Sequence, residues 1–181
     1  DLRWKPPQPV AKWAGTYHAD RTAPQCLQPL RSPRQNHYFG NEATSEDCLY
    51  LNVWAPPKAG SKLPVVVWVY GGGFNIGSAS MANYSGEPLA SAGVVRVNIA
   101  YRVGPLGFLA HPDLSRESGH GGSGNYGLMD QIAALEWVQR NIAQFGGDPG
   151  NVTIAGQSAG SMSVALLQLS PRAKGLFHRV V

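Results

Sequence analysis

Three features of this 181-residue chain predict an α/β fold with a doubly wound, mostly parallel sheet. Two near-continuous apolar runs, Pro64-Val-Val-Val-Trp-Val-Tyr70 and Val94–Ile99, have the composition of central strands buried on both faces. A third β-branched run, Val152–Ala155, follows a long amphipathic stretch. Strands alternating with helices give a sheet with its site-bearing loops at the strands' carboxyl ends. With 43% hydrophobic and 14% charged residues, the chain has apolar side chains enough for a substantial core. Residues 1–181 are expected to form part of one domain.

Each element has its own signal. Leu49, Leu51 and Val53 alternate as in a half-buried strand. Val65–Val69 and Val94–Ile99 are the central strands. Arg96 interrupts the second, which places it either at a strand end in contact with solvent or beside a carboxylate outside this chain. Leu128, Ile132, Leu135, Val138, Ile142 and Phe145 recur at spacings of three and four, marking the apolar stripe of a helix with Gln131, Gln139 and Arg140 turned to water. Gly146-Gly-Asp-Pro149 stops that helix. Val152–Ala155 is the next strand, and Ala159–Leu169 reads as the helix behind it.

Composition excludes several classes. The net charge of +4 is scattered, and the aromatic residues do not interleave with Arg in a reading surface, so no nucleic-acid groove is expected. The longest aliphatic and aromatic run, Val65 to Tyr70, is far short of the roughly 18–20 residues of a membrane span. Cys26 and Cys48 lack the spacing of a zinc site. They bracket a stretch rich in Pro, Arg and Asn that has few apolar side chains to hold it down. A disulfide would staple it, and the alternative is two reduced thiols. Asn83-Tyr-Ser85 and Asn151-Val-Thr153 are formal glycosylation sequons, the second leading into a core strand.

The chemistry is carried by residues 156–160, Gly-Gln-Ser-Ala-Gly, between a β-branched run and an apolar helical stretch. A serine hydroxyl needs a base to take its proton, and a tight strand-to-helix turn lifts it clear of the sheet. Gly156 and Gly160 leave room for the helix to pass close to the incoming strand. Ser158 is therefore the candidate nucleophile, with an ordinary glycine-bracketed turn as the alternative. The run into Gly71-Gly72-Gly73-Phe74 opens a buried strand into backbone without side chains. Such a loop aims bare N–H groups at an oxyanion, beside the N–H of the residue after the nucleophile. Gly72, Gly73 and Ala159 are the predicted donors, and a plain strand-end turn is the competing reading. The N-terminal dipole of the helix from Ala159 acts on the same charge.

Four blocks give the chain its resemblance to the type-B carboxylesterases, the α/β-hydrolase branch that includes the cholinesterases. They are Ser45-Glu-Asp-Cys-Leu-Tyr-Leu-Asn52, Tyr70-Gly-Gly-Gly-Phe74, Tyr101-Arg-Val-Gly104 with Gly107-Phe-Leu109, and Asn125 through Gly160. The resemblance implies an α/β-hydrolase fold and hydrolysis of small-molecule carboxylic esters through an acyl-enzyme, with no metal or organic cofactor. It also implies a Cys26–Cys48 disulfide, hence a secreted or periplasmic setting, and an ion pair between Arg3 and Glu46. Triads of this fold run Ser, then Asp or Glu, then His. The 23 residues after Ser158 contain no Asp or Glu and only His178, so the chain is expected to be an internal fragment whose acid and histidine lie beyond it. His178 is expected to pack at the entry of a strand.

Departures from the family pattern bear on the substrate. Many members carry Glu before the nucleophile, whereas Gln157 stands here. A neutral amide attracts cationic substrates less. Where cholinesterase-like members place a Trp, this chain reads Asn36-His-Tyr-Phe-Gly40, with Tyr38 or Phe39 as a possible cation–π partner or as loop packing. The reading from another class is a non-catalytic adhesion protein on the same fold, as in neuroligin-like relatives. Those typically lose the serine that this chain keeps.

Overall fold

The sheet is built around the two valine-rich runs. In the computed structural model, which describes residues 2–30, 32, 34, 40, 42–57, 60 and 62–181, seven strands and five α-helices are formed among the described residues. Strands β1 (Gln25–Cys26) and β2 (Thr44–Ser45) make a small parallel pair. The main sheet contains β3 (Leu51–Trp54), β4 (Leu63–Val69), β5 (Val95–Ile99), β6 (Gly147–Gly156) and β7 (Arg179–Val180), in the order β3-β5-β4-β6-β7. β3 runs antiparallel to β5, and every other pair is parallel. This is the mostly parallel sheet expected.

Helix α1 (Glu87–Ser91) precedes β5, and α2 (Gly104–Phe108) and α3 (Pro112–Glu117) follow it. The amphipathic stretch forms α4 (Tyr126–Asn141), continued by a 3-10 turn at Ile142–Phe145. The turn ends at Gly146, whose φ of 79° is the left-handed conformation that glycine adopts without strain. Helix α5 (Ala159–Leu169) follows β6 directly. Val65, Val67 and Val69 of β4, Val95, Val97 and Ile99 of β5, and Val152 and Ile154 of β6 share one core with Ile132, Leu135, Val138 and Ile142 from α4 and its extension, and Val164 and Leu167 from α5. Burying a side chain of this size contributes about 1.5–3 kcal/mol, more than any single residue's helix propensity. Packing on the sheet therefore decides where α4 lies.

Four expectations are corrected. Leu49 lies outside β3 and is exposed, because the strand begins only at Leu51, where pairing with Ile99 starts. Phe145 sits on the 3-10 turn, 40% exposed, with its ring 5.9 Å from Trp137 rather than in the core. Gln131 is fully buried, not turned to water. Its Nε2 donates to Ser163 Oγ at 3.0 Å, so a polar pair fastens α4 to α5. The apolar period missed this because an amide whose nitrogen finds a partner can occupy a core position, although Gln131 Oε1 has no partner among the described residues.

Arg96 is the fourth correction. It lies within β5, 7% exposed, with its guanidinium carbon 4.6 Å from the centroid of the Trp68 ring and Nε donating to Asn98 Oδ1 at 2.8 Å. Neither solvent at a strand end nor an ion pair among the described residues accounts for it. An aromatic face and a neutral amide take the place of a counter-ion. Burial pulls its pKa down to about 10.

Cys26 and Cys48 form a disulfide with Cα atoms 4.9 Å apart. Arg3 donates through Nε to Glu46 Oε2 at 2.8 Å and through a second nitrogen to Oε1, tying the amino-terminal segment to the disulfide loop. Residues Tyr38 and Phe39, considered above as cation–π partners, fall outside the described residues.

Candidate active site

Strand β6 ends at Gly156 and α5 begins at Ala159, which leaves Gln157 and Ser158 to turn the chain. Ser158 adopts φ 56° and ψ −124°, a conformation that a residue with a Cβ rarely occupies. Holding it there costs on the order of 1–3 kcal/mol, a strain that surrounding structure has to impose. Two glycines allow it. A Cβ on Gly156 would lie 2.5 Å from the carbonyl of Gly160, and a Cβ on Gly160 would lie 2.0 Å from Val69 O in β4. The first turn of α5 thus rests against the backbone of two strands, and the serine is pushed out exposed at the sheet's carboxyl edge.

The glycine loop meets the same turn from the side of β4. A Cβ on Gly71 would come within 2.9 Å of Ser158 Cβ and 2.5 Å of Gln157 O. Gly72, at φ 126°, and Gly73, at φ 62°, continue in backbone conformations that disfavour other residues. Gly72 O accepts from the N–H groups of Asn75 and Ile76 at 3.1 and 3.2 Å, closing a tight turn. Among the described residues, no acceptor takes the N–H of Gly72 or Gly73. Ala159, as the first residue of α5, has an N–H with no partner inside the helix. Phe74 is held at φ 61° and accepts from Gly104 N at 2.6 Å, and its ring is 4.9 Å from that of Phe108. The loop is therefore anchored on both sides.

Below the loop, Tyr70 and Tyr101 stack with ring centroids 4.4 Å apart. Tyr70 Oη donates to Tyr101 O at 2.9 Å, and Tyr101 Oη donates to Tyr70 O at 2.7 Å. Each ring thus clamps the backbone of the other strand end. Burial raises both phenol pKa values well above the ordinary range, so both hydroxyls remain donors. The next residue, Arg102, donates to the buried Asp130 of α4 through Nε at 2.8 Å, Nη2 at 2.7 Å and its own backbone N at 3.0 Å. Tyr70, Tyr101, Arg102 and Asp130 all stand in recognisable blocks, yet nothing in their one-dimensional spacing shows that they pair.

Gln157 Oε1 accepts from Tyr84 Oη at 3.1 Å, so a neutral amide beside the serine is fixed by a neutral phenol. His178 is far from this turn. Its backbone N donates to Val152 O at 2.8 Å, and its Nδ1 accepts from Val152 N at 3.2 Å. Val152 lies four strand residues before Gly156, about 13 Å down the sheet at 3.3 Å per residue. His178 stands at the entry of β7, as expected, but it is exposed and joins β6 through hydrogen bonds rather than through packing. Among the described residues there is no group of three or more His, Cys, Asp or Glu able to hold a metal ion. No described helix is long and apolar enough to cross a membrane.

A mostly parallel sheet, a strained serine on a strand-to-helix turn and an adjoining glycine loop together define an α/β-hydrolase arrangement. The family model described as "Carboxylesterase family" matches residues 1–181. The chain belongs to that family. It is 52% identical over 182 residues to the fumonisin B1 esterase of Sphingopyxis macrogoltabida, an alignment covering 100% of this chain and 33% of that protein. It is 46% identical over 188 residues to the cocaine esterase of Oryctolagus cuniculus, covering 99% of this chain and 34% of that enzyme. With the bile salt-activated lipase of Homo sapiens it shares 46% identity over 185 residues, 97% of this chain and 23% of the lipase. The chain thus spans about a third or less of the length of these relatives.

Proposed function

We propose that the protein hydrolyses carboxylic esters of small molecules through an acyl-enzyme on Ser158. One observation carries the reading: an exposed serine held at φ 56° between Gly156 and Gly160, with Gly71 packed against its Cβ. Nothing in the packing of a plain turn calls for that strain. In this mechanism Ser158 Oγ attacks the ester carbonyl while a histidine base takes its proton. The N–H groups of Gly72, Gly73 and Ala159 receive the resulting oxyanion, and each such donor contributes roughly 2.7–4 kcal/mol to the transition state. The tetrahedral species collapses, the histidine protonates the departing alkoxide, and the alcohol leaves. Water then attacks the acyl-enzyme by the same route and releases the acid.

Residues 1–181 are read as the nucleophile-bearing part of an α/β-hydrolase domain, with the triad acid and histidine elsewhere in the protein. The disulfide supports a secreted or periplasmic location, where it would persist. The neutral Gln157 argues against strong attraction of cationic esters. A fluorophosphonate probe, followed by peptide mass spectrometry of the complete protein, tests the assignment. A single adduct on the peptide containing Ser158, lost in Ser158→Ala together with ester turnover, is the expected result. Labelling elsewhere, or turnover that survives Ser158→Ala, would overturn it, and a complete protein with neither labelling nor turnover would favour a non-catalytic role on the same fold.

A further inference from the structure

Gln28 lies between the disulfide and the glycine loop and touches both. Its Nε2 donates to Cys26 O at 3.0 Å and to Gly77 O at 2.8 Å, and its Oε1 accepts from Gly77 N at 2.8 Å. One side chain thus satisfies both backbone groups of Gly77 and holds them against the residue bonded to Cys48. Gly77 is the far post of the turn that begins at Gly71. At φ 125° it sits so close to the start of the loop that a Cβ there would lie 2.6 Å from Gly71 O and 2.4 Å from Tyr70 Cδ2. Between the two posts, Gly72 O is bonded by Asn75 and Ile76. Any shift of Gly77 therefore moves the loop that carries the N–H groups of Gly72 and Gly73.

We infer that Gln28 is a positioning residue for the oxyanion loop, and that the Cys26–Cys48 disulfide acts on catalysis through it. The inference rests on the ester-hydrolase reading above. Gln28 touches no reacting group. Its role is to hold Gly77 so that the loop N–H groups point where negative charge develops, and misplacement of such donors by 1 Å can lower turnover about 100-fold. The disulfide fixes the other end of the link by holding the Cys26 backbone, which accepts from the same amide nitrogen.

The test uses the complete, disulfide-intact enzyme, with 4-nitrophenyl acetate as substrate and a trifluoromethyl ketone as transition-state probe. Gln28→Met keeps the length of the side chain and removes its hydrogen bonds. It is expected to lower kcat about 10- to 100-fold, change KM by less than about threefold, and weaken the ketone in proportion to the loss of kcat. Gln28→Glu provides a readout that mere packing would not move. A neutral carboxyl can accept from Gly77 N and donate to Gly77 O, whereas the carboxylate repels that carbonyl. The ratio of its kcat to wild type should therefore rise as pH falls from about 8 to about 5. Reduction of the disulfide should lower kcat in wild type and have a smaller further effect in Gln28→Met. Ser158→Ala is the control. If it retains turnover, the functional reading fails and this inference with it. If it is inactive while folded Gln28→Met keeps wild-type kcat, if the Gln28→Glu ratio is flat with pH, or if reduction and Gln28→Met act additively, the inference alone is overturned.

Discussion

Gly160→Ala tests whether the close approach of α5 to β4 places Ser158. The added methyl would lie 2.0 Å from Val69 O, 2.8 Å from Tyr70 O and 2.8 Å from Val69 C. All three are backbone atoms at the carboxyl end of β4 or one residue beyond it, so no side chain can rotate away. Real Cβ contacts essentially never fall below 3.0 Å, so the start of α5 must retreat by about 1 Å. Overpacking of this kind destabilises by about 1–3 kcal/mol, and a rigid backbone partner puts the effect near the upper end. Against that, alanine gains only about 1 kcal/mol over glycine in helix propensity. The expected net loss is about 2 kcal/mol. The same retreat carries Ser158 and the N–H of Ala159 away from Gly72 and Gly73, which should lower kcat/KM about 100-fold. Urea unfolding and ester turnover would be measured beside Gly150→Ala, where the new methyl meets only side-chain atoms of Asp148, at 3.2 and 3.9 Å. Gly150→Ala should behave as wild type in both assays. Wild-type stability and turnover in Gly160→Ala would refute the claim that backbone contact, rather than the serine's own neighbours, sets the elbow.

Two further predictions concern buried charge. The Arg102–Asp130 pair has side chains 12% and 1% exposed, so Asp130→Ala leaves a buried guanidinium without its partner and should destabilise by about 3–5 kcal/mol in urea unfolding. A change below about 1 kcal/mol would mean that the pair is not buried in the working protein. Arg96 has a folded pKa of about 10, depressed by burial from its ordinary 12.5. Its charged form therefore opposes folding in full below about pH 10. As pH rises through that value the folded state releases the proton first and stability is recovered. The stability of Arg96→Met relative to wild type should accordingly become less favourable between about pH 8 and about pH 10.5, and a constant difference would sink that reading.

How much was legible in advance follows from the range of each interaction. Ser158, Gly156 and Gly160 lie within five residues, so the tight strand-to-helix turn they form could be read from a local pattern. The strands at Val65–Val69 and Val95–Ile99 were equally plain, because burial on both faces leaves a continuous apolar run. Gln131 was misread because hydrophobic period registers only whether a side chain is apolar. It cannot detect that Ser163, on another helix, supplies a partner. Arg96 failed for a related reason: the surface that accepts it is a Trp ring on the neighbouring strand, brought into place by the parallel pairing of Val66 with Arg96 and Trp68 with Asn98. Gln28, 49 residues from Gly77, had no local signal at all.

These long-range contacts share a direction. Tyr70 and Tyr101 clamp the ends of β4 and β5, Asp130 of α4 accepts from the backbone N–H of Arg102 in the following loop, and Gln28 fastens the glycine loop to the disulfide. Each ends on backbone at or beside the carboxyl edge of the sheet. The groups they hold are chiefly backbone N–H and carbonyl groups, which carry no residue-specific label. An oxyanion site made of such groups cannot be adjusted by exchanging its own side chains, because glycine has none. Its geometry must instead be controlled by residues one contact away. Substitutions at Gln28, Tyr70, Tyr101 and Asp130 should therefore alter turnover more than their distance from the ester would suggest, whereas changes on the exposed face of α4, such as at Arg140, should leave it unchanged.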